Sequence, residues 1–210
     1  MFLYNDKTKV DIKITKTELY KIIKADKIIK QESEAISLIS ISNILNSENL
    51  RLESSDCVKE IYIIDVHLKS KLCPYALIEA FNKTINFQVV FRVIFGNEIK
   101  YITSIKNFHE NIKILKTFES DWVNRIIIDF PITNKLEKVY KEIIRNITTH
   151  NFRENENFED YIKRLELIKK LKSEIEKQTK TMNNEKQPNI KMSLNDKIKQ
   201  MKNELNELEG

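Results

Sequence analysis

The segment KEIYIIDVHLK contains three polar side chains whose types and spacing could do chemistry. Asp65, His67 and Lys69 stand two residues apart, so they share one face if the segment is a β-strand. A carboxylate can hold Mg²⁺, an imidazole can take up and release a proton, and a lysine can stabilise charge at a phosphate under attack. Together, these groups could cleave a phosphodiester bond with the help of a divalent metal.

The pattern is incomplete as a nuclease site of the PD-(D/E)xK type. His67, and not an acid, stands two residues before Lys69, and a second carboxylate would have to come from Asp56 or Glu53. Acid and lysine residues two apart also arise by chance in a chain that is 32% charged. Asp65, His67 and Lys69 are therefore an alternative catalytic site, while the favoured interpretation assigns no catalytic residue.

The rest of the sequence contains no local signature of a common enzyme class. GxGxxG, GxxxxGK[ST], GxSxG and HExxH are all absent. The two cysteines, Cys57 and Cys73, form no CxxC motif and no cluster with histidine, which argues against zinc and favours reduced thiols. We expect no cofactor and no bound metal.

The balance of charge allows an acidic partner without pointing to one. The formal net charge is +5, but charges of both signs are interspersed along most of the chain, unlike the concentrated patch of many nucleic-acid-binding proteins. Nucleic acid is therefore a possible but not favoured partner, with the lysine-bearing N-terminal region as the expected contact. No apolar run approaches the ~20 residues that cross a bilayer, so we expect a cytoplasmic protein without membrane contact.

Hydrophobic periodicity predicts an α/β domain over residues 1–150. We expect a helix over residues 15–24 with Thr17 as its cap, a strand in SEAISLISISNILN, a buried strand in KEIYIIDVHLK and a helix in PYALIEAFNKTI. A strand in NIKILKTF and a helix in TNKLEKVYKEIIRNI follow. The predicted fold class is a mixed sheet with flanking helices, followed by a C-terminal helical arm.

A β-hairpin is predicted in the middle of this domain. FQVVFRVIF and EIKYITSIK are joined by Gly96 and Asn97, which supply the backbone freedom of a tight turn. Arg92 faces away from the apolar face of the first strand and is expected to form a partner contact or a surface ion pair. The apolar face, expected to be core, consists of Phe87, Val89, Phe91, Val93 and Phe95.

Residues 151–210 have the heptad spacing of an imperfect coiled coil. Pro188 lacks a backbone donor, and Ser193 with Asp196 resembles a capping box that restarts a helix, so we predict a break near residues 183–192. The first helix has apolar residues at Tyr161, Ile168, Ile175 and Met182. The second has a cleaner seam, which we call the α7 seam: Leu194, Ile198, Met201, Leu205 and Leu208.

An apolar seam on a helix of this length needs a second surface to cover it. The two helices could fold back as an antiparallel hairpin or pack on the α/β domain. Alternatively, the α7 seam could bind a protein partner or a second copy of this chain. These interpretations are compatible, because a hairpin can still present one face to a partner.

Four segments of the chain resemble the prokaryotic family called domain of unknown function 4391. They are VKEIYIIDVHLKSK, NFQVVFRVIFGNEIKYITSIK, TFESDWV and, most distinctively, EKQPNIKMSLNDKIKQMKNELNEL. The resemblance runs in the same order along nearly the whole chain and departs at Pro188, where the family has apolar or aromatic residues. It implies a small cytoplasmic protein encoded near helicases and DNA methyltransferases in restriction-like or phage-defence gene clusters, and it brings no catalytic residues.

The sequence thus leads to two hypotheses of different kinds. The first is a non-catalytic accessory or adaptor protein whose α7 seam binds a larger DNA-processing partner or a second copy of the chain. The alternative is a metal-dependent nuclease-like domain acting on nucleic acid through Asp65, His67 and Lys69.

Overall fold

The computed structural model describes residues 6–108, 111–124 and 131–210. The chain divides into two compact units, Met1–Thr149 and His150–Gly210, which we call the sheet unit and the hairpin unit. Within the described residues, the sheet unit contains a single six-stranded sheet. Its strands are β1 (Lys9–Ile14), β2 (Ile36–Asn46), β3 (Glu60–Leu68), β4 (Gln88–Phe95), β5 (Glu98–Asn107) and β6 (Lys113–Glu119).

The spatial order of the strands follows their order in the sequence. All neighbouring strands are antiparallel except β3 and β4, which are parallel. Parallel neighbours require a crossover connection, and helix α4 (Tyr75–Thr84) supplies it. The sheet is therefore mixed, and together with its helices it confirms the predicted fold class.

The sheet carries helices on both faces. One face packs against α1 (Lys16–Ile23), α2 (Lys27–Glu34) and α4, with Phe91 and Val93 of β4 at the centre of this core. On the opposite face, α5 (Leu136–Ile147) donates a hydrogen bond from Tyr140 to the Ser104 carbonyl on β5 at 2.7 Å. Because β3 and β4 are covered on both sides, their Val- and Ile-rich sequences form the buried centre that was predicted.

Three local features of the sheet unit differ from the sequence predictions. Thr15, and not Thr17, caps α1, because its side chain accepts from the Glu18 backbone N–H while the Glu18 carboxylate accepts from the Thr15 backbone N–H. Strand β1 and helix α2 were not predicted at all. The residues of β1, KVDIKI, alternate between polar and apolar types, which is the signal that could have predicted this strand, although it is exposed along most of its length. A four-residue helix, α3 (Ser47–Leu50), follows β2.

The hairpin unit consists of α6 (Phe158–Asn184) and α7 (Pro188–Glu209). The two helices pack against each other, and the C-terminal end of α7 lies beside the N-terminal half of α6, so they are antiparallel. Residues 185–187 separate the two helices, within the range predicted for a break. Helix α7 begins at Pro188 and not at Ser193, so the predicted restart at Ser193 was wrong. Proline is tolerated at the first helical position because its missing N–H would have no partner there.

No helix in the described part of the chain combines the length and apolar character needed to cross a membrane.

Candidate functional site

The polar side chains of β3 and β4 meet on the sheet face that also carries α5. Asp65 pairs with Arg92 across the parallel strands, and its two carboxylate oxygens accept hydrogen bonds from Arg92 Nε and Nη2 at 2.5 Å each. The two side chains are only 11% and 16% exposed. Arg92 Nη2 also donates to the Ser42 hydroxyl at 3.2 Å. The predicted ion pair of Arg92 is thus present, but it is largely buried instead of lying on the surface.

The other two members of the alternative catalytic site lie at the end of β3. His67 is half-buried on the same face as Asp65, whereas Lys69 follows the last residue of the strand and is exposed. The backbone N–H of Lys69 donates to the Ala35 carbonyl. Among the residues that the structure describes, no group of three His, Cys, Asp or Glu side chains is arranged to hold a metal ion.

This geometry limits what Asp65 can do chemically. A bidentate Arg–carboxylate pair is a strong, fixed arrangement, so a metal ion at Asp65 would have to compete with the Arg92 guanidinium for that carboxylate. The nuclease interpretation stays a prediction.

Sequence reasoning missed a buried lysine on β5. Lys106 is 1% exposed, and its ammonium donates to the carbonyls of Asn82 and Ile85 at 3.1 and 2.9 Å. Both carbonyls lie at the C-terminal end of α4, where a helix has unpaired acceptors. Burial lowers the pKa of Lys106 to about 7. Strand β5 also contains Lys100, Thr103 and Ser104, so the sequence did not mark Lys106 as buried or show which helix end it would reach.

The α7 seam faces α6 and is only partly covered by it. Ile198 is 5% exposed, while Leu194, Met201, Leu205 and Leu208 remain half-buried. On α6, Tyr161 and Ile168 are buried, and Ile175 and Met182 are half-buried. The fold-back hairpin weighed from the sequence is therefore present, and most of the α7 seam retains an accessible side.

Two exposed apolar side chains lie near the start of α7. Ile190 stands four residues before Leu194, so it extends the α7 seam by one helical turn, and it is 42% exposed. Met192 is 70% exposed but lies on a different side of the helix, because two residues correspond to a rotation of about 200°. The accessible stripe therefore runs from Ile190 along α7.

A buried arginine fixes the register of the hairpin. Arg164 donates to both carboxylate oxygens of Glu156 at 2.7 and 2.8 Å, to the Leu208 carbonyl at 3.0 Å and to the Asn151 carbonyl at 2.7 Å. The Arg164 and Glu156 side chains are 6% and 8% exposed. Burial by itself would raise the pKa of Glu156, but the hydrogen bonds from Arg164 and Arg153 outweigh it and hold that pKa below its usual value.

Comparison with known proteins gives one match. The family model described as Domain of unknown function (DUF4391) matches residues 4–205. The chain belongs to this family. No curated protein and no solved structure matches the chain significantly, so the DUF4391 assignment brings no substrate, partner or reaction with it.

Proposed function

We propose that this DUF4391 protein is a non-catalytic accessory protein whose helical hairpin binds a larger DNA-processing protein. The partner class that we propose is a helicase or DNA methyltransferase of a restriction-like or phage-defence system, which is the setting implied by the family resemblance. We also propose a cytoplasmic location, which is supported by a cysteine content of two residues, Cys57 and Cys73, with no CxxC motif.

The observation that carries this proposal is the accessible side of the α7 seam. Four of its five side chains stay half-buried after α6 has packed against them, and Ile190 extends the stripe while 42% exposed. An apolar helix stripe flanked by charged residues is a surface that a partner helix or groove can cover.

The hairpin is also held in a fixed geometry before any partner arrives. The Arg164 side chain is hydrogen-bonded to Glu156, to the Leu208 carbonyl and to the Asn151 carbonyl. A preorganised surface loses less conformational freedom on binding, which favours affinity. Arg164 is therefore a structural requirement of the proposed surface and not a contact to the partner.

The experiment compares matched surface variants of the tagged full chain in its native host. Ile190→Glu with Leu194→Glu places two charges on the apolar stripe, whereas Met192→Glu with Asn195→Glu places them on another side of the same helical turns. We expect a helicase or methyltransferase to co-purify with the wild type and with the control pair. Its recovery should fall at least about tenfold with the seam pair, because burying an unpaired charge costs more than 1.4 kcal/mol.

Circular dichroism of each variant checks that the hairpin keeps its helical content. Equal recovery of the partner with both pairs would contradict the role of the seam. Recovery of only a second copy of this chain, lost with the seam pair, would replace the proposed partner by self-association.

A further inference from the structure

The distal end of the hairpin, defined as residues 177–202, concentrates positive charge. It contains seven lysines and two acidic residues, a net charge of +5, whereas the rest of the hairpin unit contains six basic and ten acidic residues, a net charge of −4. The antiparallel packing of α6 and α7 brings the two ends of this segment together. The seven lysines are Lys177, Lys180, Lys186, Lys191, Lys197, Lys199 and Lys202.

These seven lysines are exposed, and a nearby carboxylate that they affect is that of Glu174, whose pKa is lowered by a hydrogen bond from Gln178 and by the charges of Lys177 and Lys197. All seven are solvent-exposed, and none of them forms a salt bridge within the part of the chain that the structure describes. In the rest of the hairpin unit, by contrast, Lys163, Arg164 and Lys172 each pair with a carboxylate.

The two acidic residues of the distal end, Glu185 and Asp196, are already counted in its net charge of +5. Glu185 is committed to the backbone, because its carboxylate accepts hydrogen bonds from the N–H groups of Lys186 and Gln187 at 2.8 Å each. Asp196 is exposed to solvent, and neither acidic residue forms a salt bridge among the residues that the structure describes.

Two of the seven lysines are not placed where they would stabilise α7. Lys186 and Lys191 lie just before and within the first turn of α7, where the positive end of the helix dipole repels cations. Helix stability would favour acidic residues at these positions. Helix stability therefore does not account for these two lysines.

We propose that the distal end of the hairpin binds the phosphate backbone of nucleic acid without sequence preference. Lysines on both helices supply repeated point charges for a regularly charged polyanion. The exposed side chains of Asn183, Asn184 and Asn189 add hydrogen-bond donors of the kind that contact phosphate and sugar. The segment has no arginine and no aromatic residue, which are the residue types that commonly read or stack bases.

This site goes beyond the proposed protein-binding role and uses different side chains. The protein partner would contact the apolar stripe, whereas the nucleic acid would contact exposed lysines. A variant that loses binding to the protein partner should therefore keep binding to nucleic acid, and the reverse should also hold. The two proposals can therefore fail separately.

The experiment measures fluorescence anisotropy of a labelled 30-base-pair duplex and of a labelled 30-nucleotide single strand, each at several salt concentrations. The distal variant is Lys180→Gln with Lys191→Gln and Lys197→Gln in the full chain. The control variant is Lys13→Gln with Lys21→Gln and Lys27→Gln, which changes three exposed lysines of the sheet unit. It lowers the net charge by the same amount as the distal variant. It also tests whether the N-terminal region binds nucleic acid.

We expect the wild type and the control to bind with affinity that falls steeply as salt rises. The distal variant should bind at least tenfold more weakly at 0.1 M salt, and its log–log salt slope on duplex should be shallower by about 1 to 3, because each lost phosphate contact removes about 0.9 from the slope. Association with the protein partner should be unchanged.

Three results would overturn the proposal. If the wild type binds neither probe at 50 mM salt, the distal end is not a nucleic-acid-binding site. Equal losses in both triple variants would mean that net charge alone, and not the distal end, attracts the probe. If polyglutamate of matched charge binds as tightly as the duplex, we would infer that the lysines bind an acidic protein and not nucleic acid.

Discussion

At the scale of single residues, the most unusual side chain is Lys106. Its ammonium is buried beside the C-terminal carbonyls of α4, which favour a positive charge, but burial disfavours that charge more strongly and lowers the pKa to about 7. Lys106 therefore links the last turn of α4 to strand β5 at an energetic cost that depends on pH.

This cost predicts how stability should change with pH. Below pH 7, Lys106 is protonated in both the folded and the unfolded chain, so the full penalty is present. Between about pH 7 and about pH 10.5, the unfolded chain keeps a proton that the folded chain has released, so the free energy of unfolding rises with pH. We expect this contribution to approach about 1.4 kcal/mol per pH unit within that window.

Urea unfolding at pH 7 and at pH 9.5 measures this contribution when the wild type is compared with Lys106→Met. The stability of the wild type relative to the variant should increase between the two pH values, since other titrating groups cancel in the difference. Lys59→Met, at an exposed position, is the control and should follow the wild type. Parallel pH dependence of the wild type and Lys106→Met would contradict the assignment.

The Asp65–Arg92 pair shows a second residue-scale effect. Two charged residues that are 27 positions apart in the sequence meet in a largely buried bidentate contact. Removing either partner would leave the other charge buried without compensation, which is strongly destabilising. Any assay of the nuclease alternative should therefore mutate Lys69 before Asp65, because loss of activity with an Asp65 variant could reflect loss of folding.

At the scale of elements, the hairpin depends on how the end of α7 is held. The last carbonyls of a helix have no intrahelical donors, and α7 places acidic residues near that end, where the dipole is also negative. Arg164 and Arg153 donate to the carbonyls of Leu208 and Glu207. These contacts compensate the unfavourable charge and fix α7 against α6.

Arg164→Ala should therefore destabilise the hairpin by about 3 to 5 kcal/mol, because it leaves the Glu156 carboxylate buried without its guanidinium partner. Hydrogen exchange should show faster exchange in the last turns of α7. Arg164→Lys should restore little of the lost stability, since an ammonium cannot reproduce the planar set of contacts that the guanidinium makes.

The neighbouring residue supplies the matched control for this prediction. Lys163→Ala removes an exposed pair with Asp160 that spans 3.4 Å, and its effect should stay within about 1 kcal/mol. Similar exchange rates at the end of α7 in Arg164→Ala and Lys163→Ala would show that Arg164 does not hold the helix end.

At the scale of the whole molecule, the burial of the sheet residues decreases from the central strands to the edge strand β1. β4 has both faces covered and neighbours on both sides, whereas β1 is an edge strand with most of its residues exposed. A bulge between Lys9 and Ile12 and the positive φ of 49° at Asp11 also interrupt its pairing with β2. Such irregularities discourage edge-to-edge association.

This gradient predicts the pattern of amide hydrogen exchange in the sheet. Amides of β4 should exchange only through global opening, and therefore at least about 100-fold more slowly than the paired amides of β1, which local fraying exposes. Hydrogen-exchange mass spectrometry on the full chain, normalised to intrinsic rates, measures the difference. Equal protection of β1 and β4 would indicate that a further contact stabilises the edge.

The elements that the sequence predicted are those whose apolar residues recur at the positions that the fold buries. The β4–β5 hairpin, α4 and α5 have apolar residues at the period of their secondary structure, because one face of each is in the core. Helix α2 is short and buries few residues, so it leaves little periodic signal. Strand β1 does alternate polar and apolar residues, but it is largely exposed, so its pattern does not match its burial. The start of α7 was misassigned because proline both ends and begins helices, and neighbouring geometry decides which.

By itself, the sequence determined the mixed α/β class, the buried central strands and a helical arm with an apolar seam. Only the tertiary structure decided that Asp65 meets Arg92, that Lys106 reaches the end of α4, and that α6 covers part of the α7 seam. It also folded the lysine-rich segment 177–202 back on itself, which places lysines of α6 and of α7 at the same end of the hairpin. The physical reason is that periodicity fixes which face of an element is apolar, whereas contacts between distant residues depend on strand order and on the direction in which helices pack.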